Sequence, residues 1–254
     1  MSARMSATIL KLGGSVITDK ERPETLDGPA LERSAAAVAS ALERGSLVDG
    51  LVVVHGGGSF GHHHASEHGV TTTEGTDEIE AVVDIHGAME TLNQFVLSRL
   101  HAQDVPAVPI HPFSTASRDE TGTLSLPTAQ VEAMLEAGFV PVLYGDVVAT
   151  AGAGATIISG DELVTELARA LDADRVGLCS TVPGVLDDDD AVVDRITSFE
   201  DVDAILGESE ATDVTGGMAG KVQTLLELEA PASIFGLESI DAFLAGESVG
   251  TAIE

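Results

Sequence analysis

Leu51-Val52-Val53-Val54-His55-Gly56-Gly57-Gly58-Ser59-Phe60-Gly61-His62 is an apolar run that breaks into a cluster of glycines. The unbroken Leu and Val run predicts a strand covered on both faces, as in a parallel sheet. The glycines after it predict a tight loop opening a helix, whose backbone N–H groups form a nest for an anion. Gly56, Gly58 and Gly61 meet the spacing G-x-G-x-x-G. A dinucleotide fold would follow that spacing with a second strand ending in an acid ~20 residues on. Here the chain enters Thr71-Thr72-Thr73 and then a long helical stretch with Asp77 and Glu78 at its start, which counts against an NAD-binding oxidoreductase. The spacing G-x-x-x-x-G-K-[ST] occurs nowhere in the chain, so it is not a P-loop enzyme.

Outward from this stretch, strand and helix alternate. Strands are predicted at Thr8–Leu12, Pro106–Ile110, Phe139–Tyr144, Arg175–Cys179, Ser233–Phe235 and Thr251–Ile253. Helical spacing covers Pro29–Glu43, Thr76–Gln103, Pro127–Ala137, Asp161–Leu171, Phe199–Leu206 and Gly217–Leu228. Ser114–Leu126 is polar and turn-rich and predicts a hairpin or flap. The pattern is that of an α/β fold, a mostly parallel sheet between two helical layers in a three-layer αβα sandwich. With 254 residues it fits one domain. The stretch Thr150–Ala155 predicts a flexible turn between a substrate half, roughly 1–150, and a nucleotide half, 151–254.

Charge narrows the setting. The chain carries 42 acidic and 12 basic residues, a formal charge of −30. Such a surface repels nucleic acid and anionic membranes. It suits concentrated salt, where the Debye length falls to ~3 Å at 1 M, and so a halophile's cytoplasm. No apolar run approaches the ~18 residues of a membrane span. The polar start of the chain is not expected to act as a secretory signal. The single cysteine, Cys179, lies in an apolar run and is expected to be a buried hydrophobe. Asp187–Asp190 reads as a solvated acidic loop.

Only three lysines occur: Lys11, Lys20 and Lys221. In a chain so depleted of lysine, the survivors are candidates for work that needs a compact charge against phosphate. Lys11 precedes a second glycine pair, Gly13-Gly14, which follows the first strand. If both glycine loops open at one sheet edge, two nests and a lysine converge on a phosphoryl group. In Asp213-Val214-Thr215-Gly216-Gly217-Met218-Ala219-Gly220-Lys221, Thr215 or Gly216 would cap a helix and Lys221 would reach nucleotide phosphates one turn in. Asp161 reads as an N-cap or as the holder of the Lys11 and Lys221 ammonium groups, and the two are compatible. Of the run His62-His63-His64, one functional histidine with two solvated neighbours is expected rather than a metal site, because adjacent side chains cannot all face one ion.

Together these residues resemble the amino acid kinase superfamily, and within it the isopentenyl phosphate kinases. The resemblance covers nearly the whole chain. It is carried by Lys11-Leu12-Gly13-Gly14-Ser15 with Thr18-Asp19-Lys20, by His55 to His62, by Tyr144-Gly145-Asp146, by Ile158-Ser159-Gly160-Asp161 and by Asp213 to Lys221. Gly-Ser-Phe-Gly-His, ending at His62, is its most specific part, shared with a few relatives such as fosfomycin kinases. The resemblance implies transfer of a phosphoryl group from ATP, with Mg²⁺, to isopentenyl phosphate. It implies that His62 hydrogen-bonds the acceptor phosphate, that Lys11 and Lys20 neutralise the transferring group, and that Asp161 organises the lysines. Lys221, Gly13, Gly14, Ser15, Gly58, Thr181, Gly184, Gly216 and Gly217 would lie on the nucleotide side, and Gly57 and Gly160 against the acceptor. Ile85, Met89, Val147 and Ile157 would line a slot for the prenyl tail; Val82, Ile85 and Met89 share one helical face. A homodimer is expected on the same ground. One departure is Ser180-Thr181-Val182-Pro183-Gly184-Val185, where relatives carry Thr-Asp-Val-Asp-Gly-Val, which puts base or ribose contacts in question. The alternatives are a kinase for another phosphate or phosphonate such as fosfomycin, and a non-catalytic nucleotide-binding module.

Overall fold

Strands β1 (Thr8–Leu12) and β2 (Leu51–His55) are buried at every residue and pair in parallel, with Leu12 opposite His55. They form the centre of an eight-stranded sheet in a computed structural model that describes residues 7–47, 50–201 and 217–254. The other strands are β3 (Ala107–Pro109), β6 (Val140–Tyr144), β9 (Arg175–Ser180), β10 (Arg195–Ile196), β11 (Ala232–Gly236) and β12 (Thr251–Ile253), in the order β10-β12-β11-β9-β1-β2-β6-β3. Every neighbouring pair from β3 to β11 is parallel, and β12 runs against β11. The mostly parallel sheet expected from the apolar runs is thus present.

Alternate residues of each strand enter opposite layers, as the two-residue period of a strand requires. Leu10, Leu12, Leu51, Val53 and Tyr144 pack under α2 (Gly28–Glu43), α4 (Ile79–His101) and a short helix at Ile240–Leu244. Ile9, Val52, Val54, Leu143 and Val176 pack under α6 (Ala129–Glu136), α7 (Gly160–Leu171) and α8 (Gly217–Leu226). Each buried Val or Leu contributes about 1.5–3 kcal/mol relative to exposure. This layering selects the register, because a one-residue slip would turn each strand's apolar set into the wrong layer.

A second sheet was not anticipated as such, although the hairpin predicted within Ser114–Leu126 is there as part of it. β4 (Ser117–Arg118), β5 (Leu124–Ser125), β7 (Asp146–Thr150) and β8 (Gly154–Ile158) form it in the order β5-β4-β7-β8. The stretch at 150–155 is the turn of the β7–β8 hairpin, with Gly152 and Gly154 at φ +78° and +71°. Ala155 also bridges to Thr76, which keeps Thr76–Glu78 out of the helix, so α4 begins at Ile79 rather than Thr76. The predicted helix Phe199–Leu206 is helical over 199–201, and the rest of it lies outside the described residues, as do Asp213, Thr215 and Gly216.

Candidate active site

Leu12, His55, Tyr144 and Cys179 stand at the same level of the sheet, since Leu12 pairs with His55 and Cys179, and His55 with Tyr144. The loops after these residues therefore open at one edge. Gly13–Ser15, Gly56–Gly58, Gly145 and Ser180–Val182 all line a cleft of about 1300 Å³ there. The two glycine loops touch. A Cβ on Gly14 would run into the backbone nitrogen of Gly58, and one on Gly56 would lie 2.8 Å from the nitrogen of Gly14. Thr18 ties them further: its hydroxyl donates to Gly14 O (2.8 Å) and accepts from Ser59 N–H (2.9 Å). Gly58 sits at φ +49°, where an L side chain is strained. The short helix α1 (Gly14–Ile17) and α3 (Gly58–His68) start from these loops, so both helix N-termini, with the positive end of their dipoles, lie at the cleft.

Lys11 lies on the α7 side of β1, in step with Ile9, and is buried. Its Nζ donates to Asp161 Oδ1 at 2.6 Å. Asp161 is not the N-cap of α7. Ser159 takes that place: its hydroxyl accepts from Glu162 N–H, while Glu162 Oε2 accepts from Ser159 N–H, a capping box. The Asp161 carboxylate is thereby left to the lysines. Burial would raise its pKa, but the charge and hydrogen bond of Lys11, with the charge of Lys221 beyond, hold it below the usual carboxylate range. Lys221 stands about one turn into α8 and lines the same cleft. Gly160 lets α7 approach so closely, since a Cβ there would meet Lys11 Cε at 3.2 Å.

His62 and Lys20 are exposed on the cleft wall. Gly57, Gly160, Gly217, Thr181, Ile85, Met89 and Ile157 line it too. Val147 does not. It is fully buried behind the lining, in one apolar cluster with Ile85 and Val70. Gly184 also stands apart, packed where a Cβ would meet Thr251 Oγ1 and Val192 Cγ1 at 2.7 Å. Gly216 lies outside the described residues.

The neighbours of His62 are not both simply solvated. Successive helical residues point about 100° apart, and His64 reaches back to Glu24 at 2.6 Å, in the loop that follows Lys20. Among the described residues no group of three or more His, Cys, Asp or Glu could hold a metal ion. Cys179 is buried as expected, and burial first of all pushes its thiol up to about 12.

Two polar groups, one in the cleft wall and one behind it, were missed as site residues. His55 is fully buried, stacked on Tyr144 at 5.4 Å and 3.3 Å from Asn93 Oδ1. Burial pushes its imidazole down to about 4, against smaller upward effects from hydrogen bonds to Gly56 O and Asn93. Asp146 lines the cleft and accepts from His86 Nδ1. That hydrogen bond raises the His86 pKa against the opposing effect of burial. No signal marked Asp146 among 42 acids except the Tyr144-Gly145-Asp146 pattern.

The sequence pattern of the Amino acid kinase family matches residues 6–231. Isopentenyl phosphate kinase of Haloferax volcanii is 57% identical over 249 residues, covering 98% of this chain and 99% of that one. The chain belongs to the isopentenyl phosphate kinases of the amino acid kinase family. Isopentenyl phosphate kinase of Methanocaldococcus jannaschii is 33% identical, over 97% of this chain and 98% of that one. A crystal structure of an isopentenyl phosphate kinase superposes with a TM-score of 0.82 at 31% identity, covering 97% and 99% of the two chains. The amino acid kinase fold expected from the resemblance is therefore present, and so is the expected family. For an isopentenyl phosphate kinase the arrangement is chemically apt: helix N-termini and ammonium groups surround one space, as transfer of a phosphoryl group requires.

Proposed function

We propose that the chain transfers the γ-phosphoryl group of ATP to the phosphate of isopentenyl phosphate, giving isopentenyl diphosphate and ADP. The observation that carries the reading is the Lys11–Asp161 pair at 2.6 Å, in a cleft shared with Lys221, His62 and both glycine loops. In this reading Lys11 and Lys20 neutralise the group in flight, and Lys221 with Gly13, Gly14, Ser15, Gly58 and Gly217 holds the nucleotide phosphates. Asp161 keeps the ammonium of Lys11 aimed while carrying no reacting atom itself. Gly57, Gly160 and His62 receive the acceptor. A phosphate monoester has a second pKa of about 6, so its attacking oxygen is already anionic and needs no general base. His62 therefore positions by donating a hydrogen bond. Ile85, Met89 and Ile157 form the dry wall for the prenyl tail, with Val147 supporting them from behind.

Mg²⁺ belongs to this reading as a passenger on the nucleotide phosphates, completed by water. So do a homodimer, a cytoplasmic setting and a single domain with substrate and nucleotide halves. The test is ADP release in concentrated potassium chloride with Mg-ATP, comparing isopentenyl phosphate, fosfomycin, acetylglutamate and UMP. Turnover of isopentenyl phosphate alone is expected. His62→Ala should lower kcat/KM for it by about 10- to 100-fold, the worth of a hydrogen bond to a charged group, with KM for ATP unchanged. Preferred turnover of fosfomycin would keep the phosphoryl chemistry and discard the isoprenoid acceptor.

A further inference from the structure

The two walls of the tail slot belong to different parts of the fold. Ile85 and Met89 stand on α4, whereas Ile157 stands on β8, paired with Val147 of β7. Behind the slot Ala81 and Ile85 of α4 pack with Val147 and Ala155 in one apolar cluster, but such dispersion contacts are individually weak and carry no direction. Where that packing ends at the slot, a directional contact can set the separation.

Among the described residues, a side-chain hydrogen bond joins α4 to β7 beside the slot. His86, next to Ile85, places Nδ1 at 2.9 and 3.1 Å from the two carboxylate oxygens of Asp146, next to Val147. The Asp146 side chain is fully buried and also accepts from Val147 N–H at 2.8 Å. Phe113, on the short helix α5 (Pro112–Thr115), covers the imidazole with ring centroids 5.0 Å apart, and packs on the same cluster as Ile85 and Val147. Glu90 stands 3.6 Å from Nε2 on the outer side. A buried carboxylate is costly to leave without its side-chain partner, so this pair adds a directional tie between α4 and β7 to the apolar cluster that they share.

We infer that the His86–Asp146 pair is a positioning clamp that sets the width of the prenyl slot and so the length of tail the enzyme accepts. The inference rests on the reading of the cleft as a prenyl phosphate site. Neither residue reacts. Asp146 fixes His86, His86 fixes the register of Ile85 and Met89 against Ile157, and loosening the clamp lets α4 swing outward.

The experiment compares the unsubstituted enzyme with His86→Ala and His86→Asn, using isopentenyl phosphate and geranyl phosphate as acceptors. Alanine removes the donor in a helix that tolerates it, and asparagine keeps an N–H donor close to where Nδ1 stands. His86→Ala should raise the geranyl-to-isopentenyl ratio of kcat/KM about tenfold, equivalent to about 1.4 kcal/mol. KM for isopentenyl phosphate should rise and KM for ATP should stay put, while His86→Asn stays close to the unsubstituted enzyme. An unchanged ratio in His86→Ala, an asparagine variant as altered as the alanine variant, or a loss shared equally by both acceptors and ATP would overturn the clamp. Amide hydrogen exchange without substrate decides it separately. Faster exchange in 79–89 and 146–158 of His86→Ala is expected, and unaltered exchange there overturns the inference. Failure of the unsubstituted enzyme to use either acceptor would instead sink the functional reading.

Discussion

Replacing Asp161 with asparagine removes one charge and leaves the shape. The amide of Asp161→Asn would keep an oxygen within reach of Lys11 Nζ, which now lies 2.6 Å from Asp161 Oδ1. Two unit charges at that distance attract by about 6 kcal/mol at an effective dielectric of 20. Desolvation opposes most of that, and the Asp161 side chain keeps 19% of its surface exposed toward the cleft, where water and salt screen it. The expected net loss of folding stability is therefore about 1.5–3 kcal/mol, the value of one hydrogen bond to a charged group. The kinetic loss should be larger in consequence. Lys11 would keep its charge but lose its aim, and a misdirected donor costs about 10²- to 10³-fold in kcat. Because the folded-state pKa of Asp161 is depressed, its contribution to stability is full above the unfolded-state value near about 4 and disappears as pH falls through the folded-state value. Urea denaturation at neutral pH and in acid, with steady-state turnover at saturating Mg-ATP, reads all of this. A folded Asp161→Asn variant with unaltered kcat would refute the idea that this carboxylate aims the lysine. So would a stability deficit that persists unchanged in acid.

Other consequences are sharp enough to measure. Gly14→Ala should destabilise by about 3 kcal/mol, the upper end for overpacking, and abolish turnover, because the new methyl meets backbone of Gly58 that cannot yield; a soluble, active variant in a thermal melt would contradict the packing of the two loops. His55, held down at about 4 by burial, stays neutral in the folded state while its unfolded counterpart takes up a proton near about 6.5. The unfolded chain thus binds more protons between those values, so stability should fall as pH is lowered from 6.5 to 4, by about 3 kcal/mol in total. His55→Gln should flatten that part of the stability profile, and an equally steep profile in the variant would show that other groups carry it.

Much of the fold could be read locally. Runs dominated by buried apolar residues marked Thr8–Leu12, Leu51–His55 and Thr251–Ile253 to the residue, because a glycine or a polar residue stops each of them. The scarcity of lysine singled out Lys11 and Lys221, and the glycines after β1 and β2 announced loops that side chains cannot enter. The β7–β8 hairpin escaped notice because its glycine-rich turn dominates the short, mixed strands beside it. Only the tertiary structure decided the partnerships. Asp161 finds Lys11 across 150 residues, and Asp146 finds His86 across 60. In a chain with 42 acids, the short patterns around Asp161 and Asp146 flagged both, but they left Asp161 between a helix cap and a lysine holder and offered no partner for Asp146. The choice depends on which face of β1 receives α7, and on where a small second sheet meets α4. Those placements follow from packing two apolar layers on one sheet, a property of the whole chain and of no single stretch of it.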